Sequence, residues 1–558
     1  MKRTDPAETP RSRGQAWHNW LAAALIVVFV VQVGAESRLK SPVADEPPHI
    51  ASGLAYVAKH NFRGNPEHPP LLKELAGVSM LAGGIRWPRD SIADSLLIGS
   101  RPPGVEPEWE LGNRIIATNN PDRVLFWARL PLIAVATMLA VLIFVWGREL
   151  VGPAAALGAL FVFTTDPTIL AHAFPVTTDV GLAAFTVLFL FALWRYTANP
   201  SRARLVLCGV ALGAMLCAKF SAVLLLPVLP ILMLAAARWP RATNRPRAWL
   251  DPFHTKLDAG QCRIALCAFA CVAMGIVAVF VIQAVYLFSK DPLLYVHGLG
   301  LVNANHKPDF KAYLAGDMQH RFIAYFPIAY ALKQPLASIA LTLAGLVILL
   351  RSTTITPLAK VFIILPAVVL FAGPALLAEQ IGVRYLVPTF PFAHLLAGVT
   401  LAALLTRGRV WARGVAVAAC AWLLLADGGI FPDHLAYFNE AACLLTKPER
   451  VGVDGGTRCG AYWLADSNVD WGQGERQLKA WAERTSEKRV IRYATLYGFP
   501  ASAYGLSEER PPESELLGNP VPGQVYAISS AILAVLNALP GTDWPDTRAP
   551  TAIVGHSG

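Results

Sequence analysis

Charge is what this sequence has least of. Asp, Glu, Lys and Arg make up only 15% of the 558 residues, while 54% are hydrophobic. A soluble enzyme carries about a quarter charged residues, so a water-facing globular fold is excluded and a multispanning membrane protein is expected. Cysteine is also scarce, with eight residues. Cys208, Cys217, Cys262, Cys267, Cys271 and Cys420 lie in or beside apolar runs without metal-ligand spacing and read as packing residues. No tandem repeat or low-complexity tract is present.

The formal charge is +10, yet it does not imply a nucleic-acid partner. The arginines fall in short loops between apolar runs rather than on one face, and so report orientation. Lys2, Arg3, Arg11 and Arg13 precede the run Trp20–Val33, which leaves the N-terminus in the cytoplasm and sends the next loop, 34–122, outside. A signal peptide cleaved near Val33-Gly34-Ala35 is the rival reading, and it leaves that loop outside as well.

From Leu125 the apolar runs follow one another, and basic residues alternate with them. Arg148, the Arg195–Arg204 group, the basic loop Arg238–Arg263, Arg351 with Lys360, and the Arg407–Arg413 group mark cytoplasmic ends. About eleven spans result, each near the length that crosses roughly 30 Å of hydrocarbon. A second external loop covers 288–333. Residues 1–430 are therefore expected to form the membrane domain, and 431–558 a small extracytoplasmic α/β domain. In that domain Gly474–Arg484 has helical spacing, while Val490–Tyr497 and Gln524–Ala531 are rich in strand-forming residues. Cys443 and Cys459, placed outside the cytoplasm, could form a disulfide.

Chemistry concentrates just after the first run. Asp45-Glu46-Pro47-Pro48-His49 is followed by Asn65-Pro66-Glu67-His68-Pro69-Pro70-Leu71-Leu72-Lys73-Glu74. Carboxylates, imidazoles and a lysine where lipid meets water suit a reaction site better than a structural element. Helical pieces at Ile50–Lys59 and Leu71–Ala82 read as lying along the interface.

The Asp-Glu pair after the first span, followed by Glu-His-Pro-Pro-Leu, resembles the polyprenyl-phosphate-dependent membrane glycosyltransferases of the GT-C fold. These include dolichyl-phosphate-mannose protein mannosyltransferases and bacterial aminoarabinose transferases. The resemblance implies a mainly α, polytopic transmembrane fold in the bacterial inner membrane. It implies as partners a polyprenyl-phosphate-linked sugar donor, a periplasmic acceptor (protein or cell-envelope glycan or lipid) and membrane lipid. It places the catalytic aspartate on Asp45, with a turn or helix cap as the bland alternative. Glu46 would orient acceptor or base, or merely be solvated.

By the same resemblance, Glu67 would be associated with a divalent metal (Mg, Mn or Zn) near the donor phosphate, and His68 with the phosphate itself. His68 stands where the relatives carry lysine, so Lys73 could supply the permanent charge, unless it snorkels at the interface. Asp179, at the start of the fourth span, matches an acidic residue of the donor pocket, or else caps its helix. Arg129 and Arg384 lie at external span ends against the positive-inside trend and therefore need an anionic partner. A lipid phosphate or a buried carboxylate would serve.

His297, His306, His320 and their neighbours lie in the second loop, which in bacterial relatives closes over the site. Asp433–Glu440 and Asp466–Gln473 mark the family in the tail. Asp466 and Asp470 could bind a cation or acceptor sugar, but capping the next helix is the simpler role. A transporter or flippase of lipid-linked sugars is the rival function. It would place ionisable groups at mid-membrane and show repeated halves, and neither is seen.

Overall fold

The computed structural model describes residues 10–89, 91–98, 107–239, 259–305, 310–406, 408–495, 499–518, 520–539, 542, 544, 548 and 550–556. The most basic loop, Arg241–Lys256, lies outside them, as do His306 and Lys307. The chain is mainly α. Helix α1 (Pro10–Leu39) leads to α2 (Glu46–Lys59), α3 (Leu71–Ala82), α4 (Ser91–Ile98) and α5 (Pro107–Thr118). Then come α6 (Pro121–Leu150), α7 (Pro153–Thr164), α8 (Pro167–His172), α9 (Asp179–Ala198), α10 (Arg202–Leu216), α11 (Val228–Arg238) and α12 (Ala259–Val285). After α13 (Leu294–Asn305), the strands β1 (Ala312–Leu314) and β2 (Asp317–Gln319) form a hairpin. Helices α14 (Tyr325–Lys333), α15 (Leu336–Arg351), α16 (Pro357–Leu377), α17 (Phe390–Thr406) and α18 (Val410–Ile430) complete the apolar part.

Among the described residues eight helices are long and apolar enough to cross a membrane, or nine if α14 and α15, bent by 113°, count as one. The expected eleven spans included two that form as shorter helices. One is α7, whose 12 residues reach only about 18 Å at 1.5 Å per residue, short of a roughly 30 Å core. It stops where Asp166 starts a new helix, its carboxylate accepting from Thr168 N and Ile169 N at 2.8 and 3.2 Å. The other is α10, which ends before Lys219.

Helices α2 and α3 do form where their spacing predicts, but α2 is no surface helix. Residues 46–56 are all buried, because the first loop folds into the protein rather than along it. Close approach requires glycine here: a Cβ on Gly53 would sit 2.1 Å from Lys73 O, and one on Gly77 would sit 2.2 Å from Gly53 O. Pro47 and Pro48 occupy the first turn of α2, where a missing N–H costs nothing.

The tail carries α19 (Ala441–Leu444), α20 (Gly460–Trp463) and α21 (Glu475–Thr485), then β3 (Ile491–Ala494), β4 (Glu508–Glu509), α22 (Glu513–Leu517), β5 (Val525–Ile528) and α23 (Ser530–Asn537). The strands form a parallel sheet in the order β4-β3-β5. Cys443 and Cys459 are joined by a disulfide, their Cα atoms 5.2 Å apart.

Candidate active site

Asp45 stands at the N-cap position of α2 but makes no capping hydrogen bond. Its carboxylate instead accepts from Arg384 Nη1 at 2.6 Å, and its side chain keeps 23% exposure. Asp179, the first residue of α9, does not cap its helix either. It accepts from Lys219 Nζ at 2.6 Å. Arg384 Nη1 lies 3.9 Å from the other Asp179 oxygen, which has no hydrogen-bond partner although buried. Asp45, Arg384, Asp179 and Lys219 thus form a chain of alternating charge, drawn from the turn after α1, the 3-10 turn Val383–Thr389, the start of α9, and the turn after α10.

The cations are held by aromatic faces. Lys219 Nζ lies 4.5 Å from the Tyr385 ring centroid, and Arg384 Cζ lies 4.3 Å from that of Trp471. Arg384 Nε is buried without a partner. A guanidinium donor and a carboxylate oxygen left open in one charged cluster are spare capacity for a ligand, since buried polar groups are otherwise satisfied.

Three imidazoles stand close by. His49 donates through Nδ1 to Val176 O, 2.6 Å away, and its ring meets that of His68 edge-on at 5.2 Å. Burial, with help from the Lys73 cation and against the pull of Asp45, lowers His49 to about 4. His68 falls well below its ordinary value, through burial and then the cations around it. Burial likewise lowers His172 to about 4, Asp179 opposing. All three are neutral near pH 7, so His68 offers its imidazole as a hydrogen-bonding group rather than as a charge. Burial also raises Asp466 to about 6.

Other candidates do different work. Glu46 is fully buried on Arg129, at 2.8 and 2.6 Å, and also accepts from Val43 N and Val176 N. Arg129 gives its remaining N–H groups to Ser37 O, Lys40 O and Ser41 O. Every donor of that guanidinium is used, so the expected phosphate contact of Arg129 and the expected orienting role of Glu46 give way to a buried ion pair that fixes the turn carrying Asp45.

Lys73 is also consumed, though not by snorkelling. Its Nζ donates to Tyr56 OH, Asn65 O, Asn65 Oδ1 and His68 O at 2.7–3.2 Å. Burial favours the neutral amine, whereas these acceptors favour the ammonium. Either way Lys73 clamps the 65–68 turn and does not reach outward. Glu67 is half-buried. Among the described residues no three His, Cys, Asp or Glu side chains are grouped to hold a metal ion.

Lys219 and Trp471 are the residues that sequence reasoning missed as site members. The signal for Lys219 was present: it is a lone lysine between two apolar runs, at the end opposite the basic loops. Trp471 stands within the Asp466–Gln473 family marker, which carried no indication of a role in the site. In the second loop, α13 approaches the 66–68 turn, since a Cβ on Gly298 would meet Pro66 O at 2.8 Å. His297 and His68 line one small cavity with Tyr56, Phe62 and Tyr286. The hairpin leans on the tail through Ala315 N to Trp463 O at 2.9 Å.

Residues 121–257 match the family model described as dolichyl-phosphate-mannose-protein mannosyltransferase. Among solved structures the chain is similar to ArnT from Cupriavidus metallidurans bound to undecaprenyl phosphate, at 14% identity and TM-score 0.49, over 91% of this chain and 90% of that one. It is similar to the S. cerevisiae protein O-mannosyltransferase Pmt1-Pmt2 complex bound to the sugar donor, at 18% identity and TM-score 0.35, over 53% and 38%. It is also similar to the archaeal oligosaccharyltransferase AglB from Archaeoglobus fulgidus, at 12% identity and TM-score 0.43, over 88% and 63%. No curated protein matches the chain.

Proposed function

We infer that this chain is a membrane-embedded polyprenyl-phosphate-dependent glycosyltransferase of the GT-C fold, a reading that the family-model match to residues 121–257 supports, and that it moves a sugar to a periplasmic acceptor with inversion, using Asp45 as general base. The observation that carries the reading is the Asp45–Arg384–Asp179–Lys219 chain, with its open Arg384 Nε. A departing lipid phosphate needs cations that are already oriented. An acceptor hydroxyl needs a carboxylate within reach, and the partly exposed Asp45 offers one.

The two demands are linked through Arg384. A phosphate that takes the guanidinium competes with Asp45 for it, and a carboxylate that loses its cation becomes the stronger base. The acceptor oxygen then attacks C1 of the sugar as its proton passes to Asp45. The C1–O bond to phosphate breaks with its electron pair on the phosphate oxygen, and Arg384 and Lys219 hold the added charge. A single displacement of this kind inverts the anomeric centre and needs no second carboxylate nucleophile. No step runs through a metal. The acceptor would be a protein or a cell-envelope glycan or lipid, and the site would face the periplasm of a bacterial inner membrane.

Purified protein given radiolabelled polyprenyl-phosphate sugar and an envelope extract tests the reading. Free polyprenyl phosphate appears in equal moles with glycosylated acceptor if it is right. A flippase would leave the lipid-linked sugar intact.

A further inference from the structure

Trp471 belongs to the tail, yet it touches Arg384 and the residue that precedes Asp45. Its indole is 2% exposed and covers Arg384 at 4.3 Å. Its carbonyl accepts from Ala44 N at 2.8 Å, next to Asp45, and its own N–H donates to Gln473 Oε1 at 2.8 Å. The ring packs with Val43, Ala44, Ala171 and Leu435.

The same loop is fastened on its other side. Val383 N donates to Asn468 Oδ1 at 2.8 Å and Ser467 Oγ to Ile381 O at 2.7 Å, while Ser41 N donates to Gln473 O at 3.3 Å. Residues 467–473 therefore bridge the strand of chain that carries Arg384 and the strand that carries Asp45. The turn itself is made possible by Gly472 at φ 81°.

We propose that Trp471 is a positioning residue for the transfer reaction, fixing the plane of the Arg384 guanidinium and the distance to Asp45, so that the extramembrane tail is part of the active site. This rests on the transferase reading above. A planar cation laid on an indole face keeps its edge, and hence its N–H groups, directed into the site, and the ring excludes water from one side. An aliphatic side chain can fill the space but cannot orient the fork.

A double-mutant cycle in the full-length protein tests it. Trp471→Leu is expected to lower kcat about tenfold while moving donor KM less than about twofold, and Trp471→Phe to recover most of the loss. In the Arg384→Lys background the further effect of Trp471→Leu shrinks to within about twofold, because the planar partner is already gone. If Trp471→Leu does not fold, Trp471→Phe carries the same cycle with a smaller loss. Equal kcat in wild type and both Trp471 variants, or an undiminished loss in the Arg384→Lys background, overturns the proposal while leaving the transferase reading intact. A wild-type protein that releases no polyprenyl phosphate from any lipid-linked sugar removes that reading, and this inference with it.

Discussion

Arg384 Nη1 donates to Asp45 Oδ2 at 2.6 Å, joining residues 339 positions apart. The pair is partly exposed at Asp45 and nearly closed at Arg384, so a ligand reaches the carboxylate first. Charge alone does not reproduce the arginine fork. Arg384→Lys is expected to lower transfer about tenfold to a hundredfold with folding intact, measured as labelled acceptor formed per folded enzyme.

Lys219 and Asp179 extend the same chain of charge. Lys219→Met removes a cation from the phosphate side and also strands Asp179. Donor binding should weaken by about tenfold or more, and the double variant Lys219→Met with Asp179→Asn should regain part of it, since the stranded carboxylate is then neutral. Titration with the lipid-linked sugar, read by equilibrium dialysis of label, checks both.

Glu46 and Arg129 predict the opposite kind of loss. Removing one partner of a fully buried pair costs about 3–5 kcal/mol, because the other is left as an unpaired buried charge. Glu46→Ala and Arg129→Ala should therefore lower yield and melting temperature in detergent. The molecules that do fold should turn over far better than those changed at Asp45.

His434 gives a pH signature. Burial alone would lower its pKa, but the Glu36 carboxylate, with the hydrogen bonds from Asp427 and Glu36, more than reverses this and raises it to about 10. Nδ1 lies 2.6 Å from Glu36 at the end of α1, and Nε2 lies 2.9 Å from Asp427 at the end of α18. A histidine raised in this way adds stability that is full below its unfolded pKa of about 6.5 and is lost as pH rises through the folded value. The melting-temperature gap between wild type and His434→Gln should be widest near pH 6 and narrow steadily towards pH 10. A gap independent of pH contradicts the protonated bridge.

The sequence made the apolar part legible because hydrophobic run length and loop charge are local signals. Helices at 50–59 and 71–82, and the tail elements near 475–485, 491–494 and 525–528, likewise follow from local periodicity. The span count did not, because Asp166 breaks a run that reads as continuous and the short run before Lys219 forms a helix of only 15 residues. Within the site, residue type suggested Asp45, Asp179 and Arg384 as functional candidates. Partner choice decided the rest. Arg129 and Arg384 look alike in sequence, both being arginines at span ends, and only the fold shows that one is saturated by Glu46 and three carbonyls while the other keeps an open Nε. The role of Trp471 is invisible to any local argument, since Arg384 lies 87 residues away in sequence and Ala44 more than 400.

The proton acceptor is the centre of this account, and Asp45→Asn isolates it, because the amide keeps the shape of the side chain but cannot take a proton. The decisive measurement is single-turnover release of polyprenyl phosphate from labelled donor, made beside a donor-binding isotherm on the same preparation. The account predicts a loss of turnover of at least about a hundredfold, within the range for removal of a general base, while donor still binds. Turnover at the wild-type rate with donor bound would contradict it.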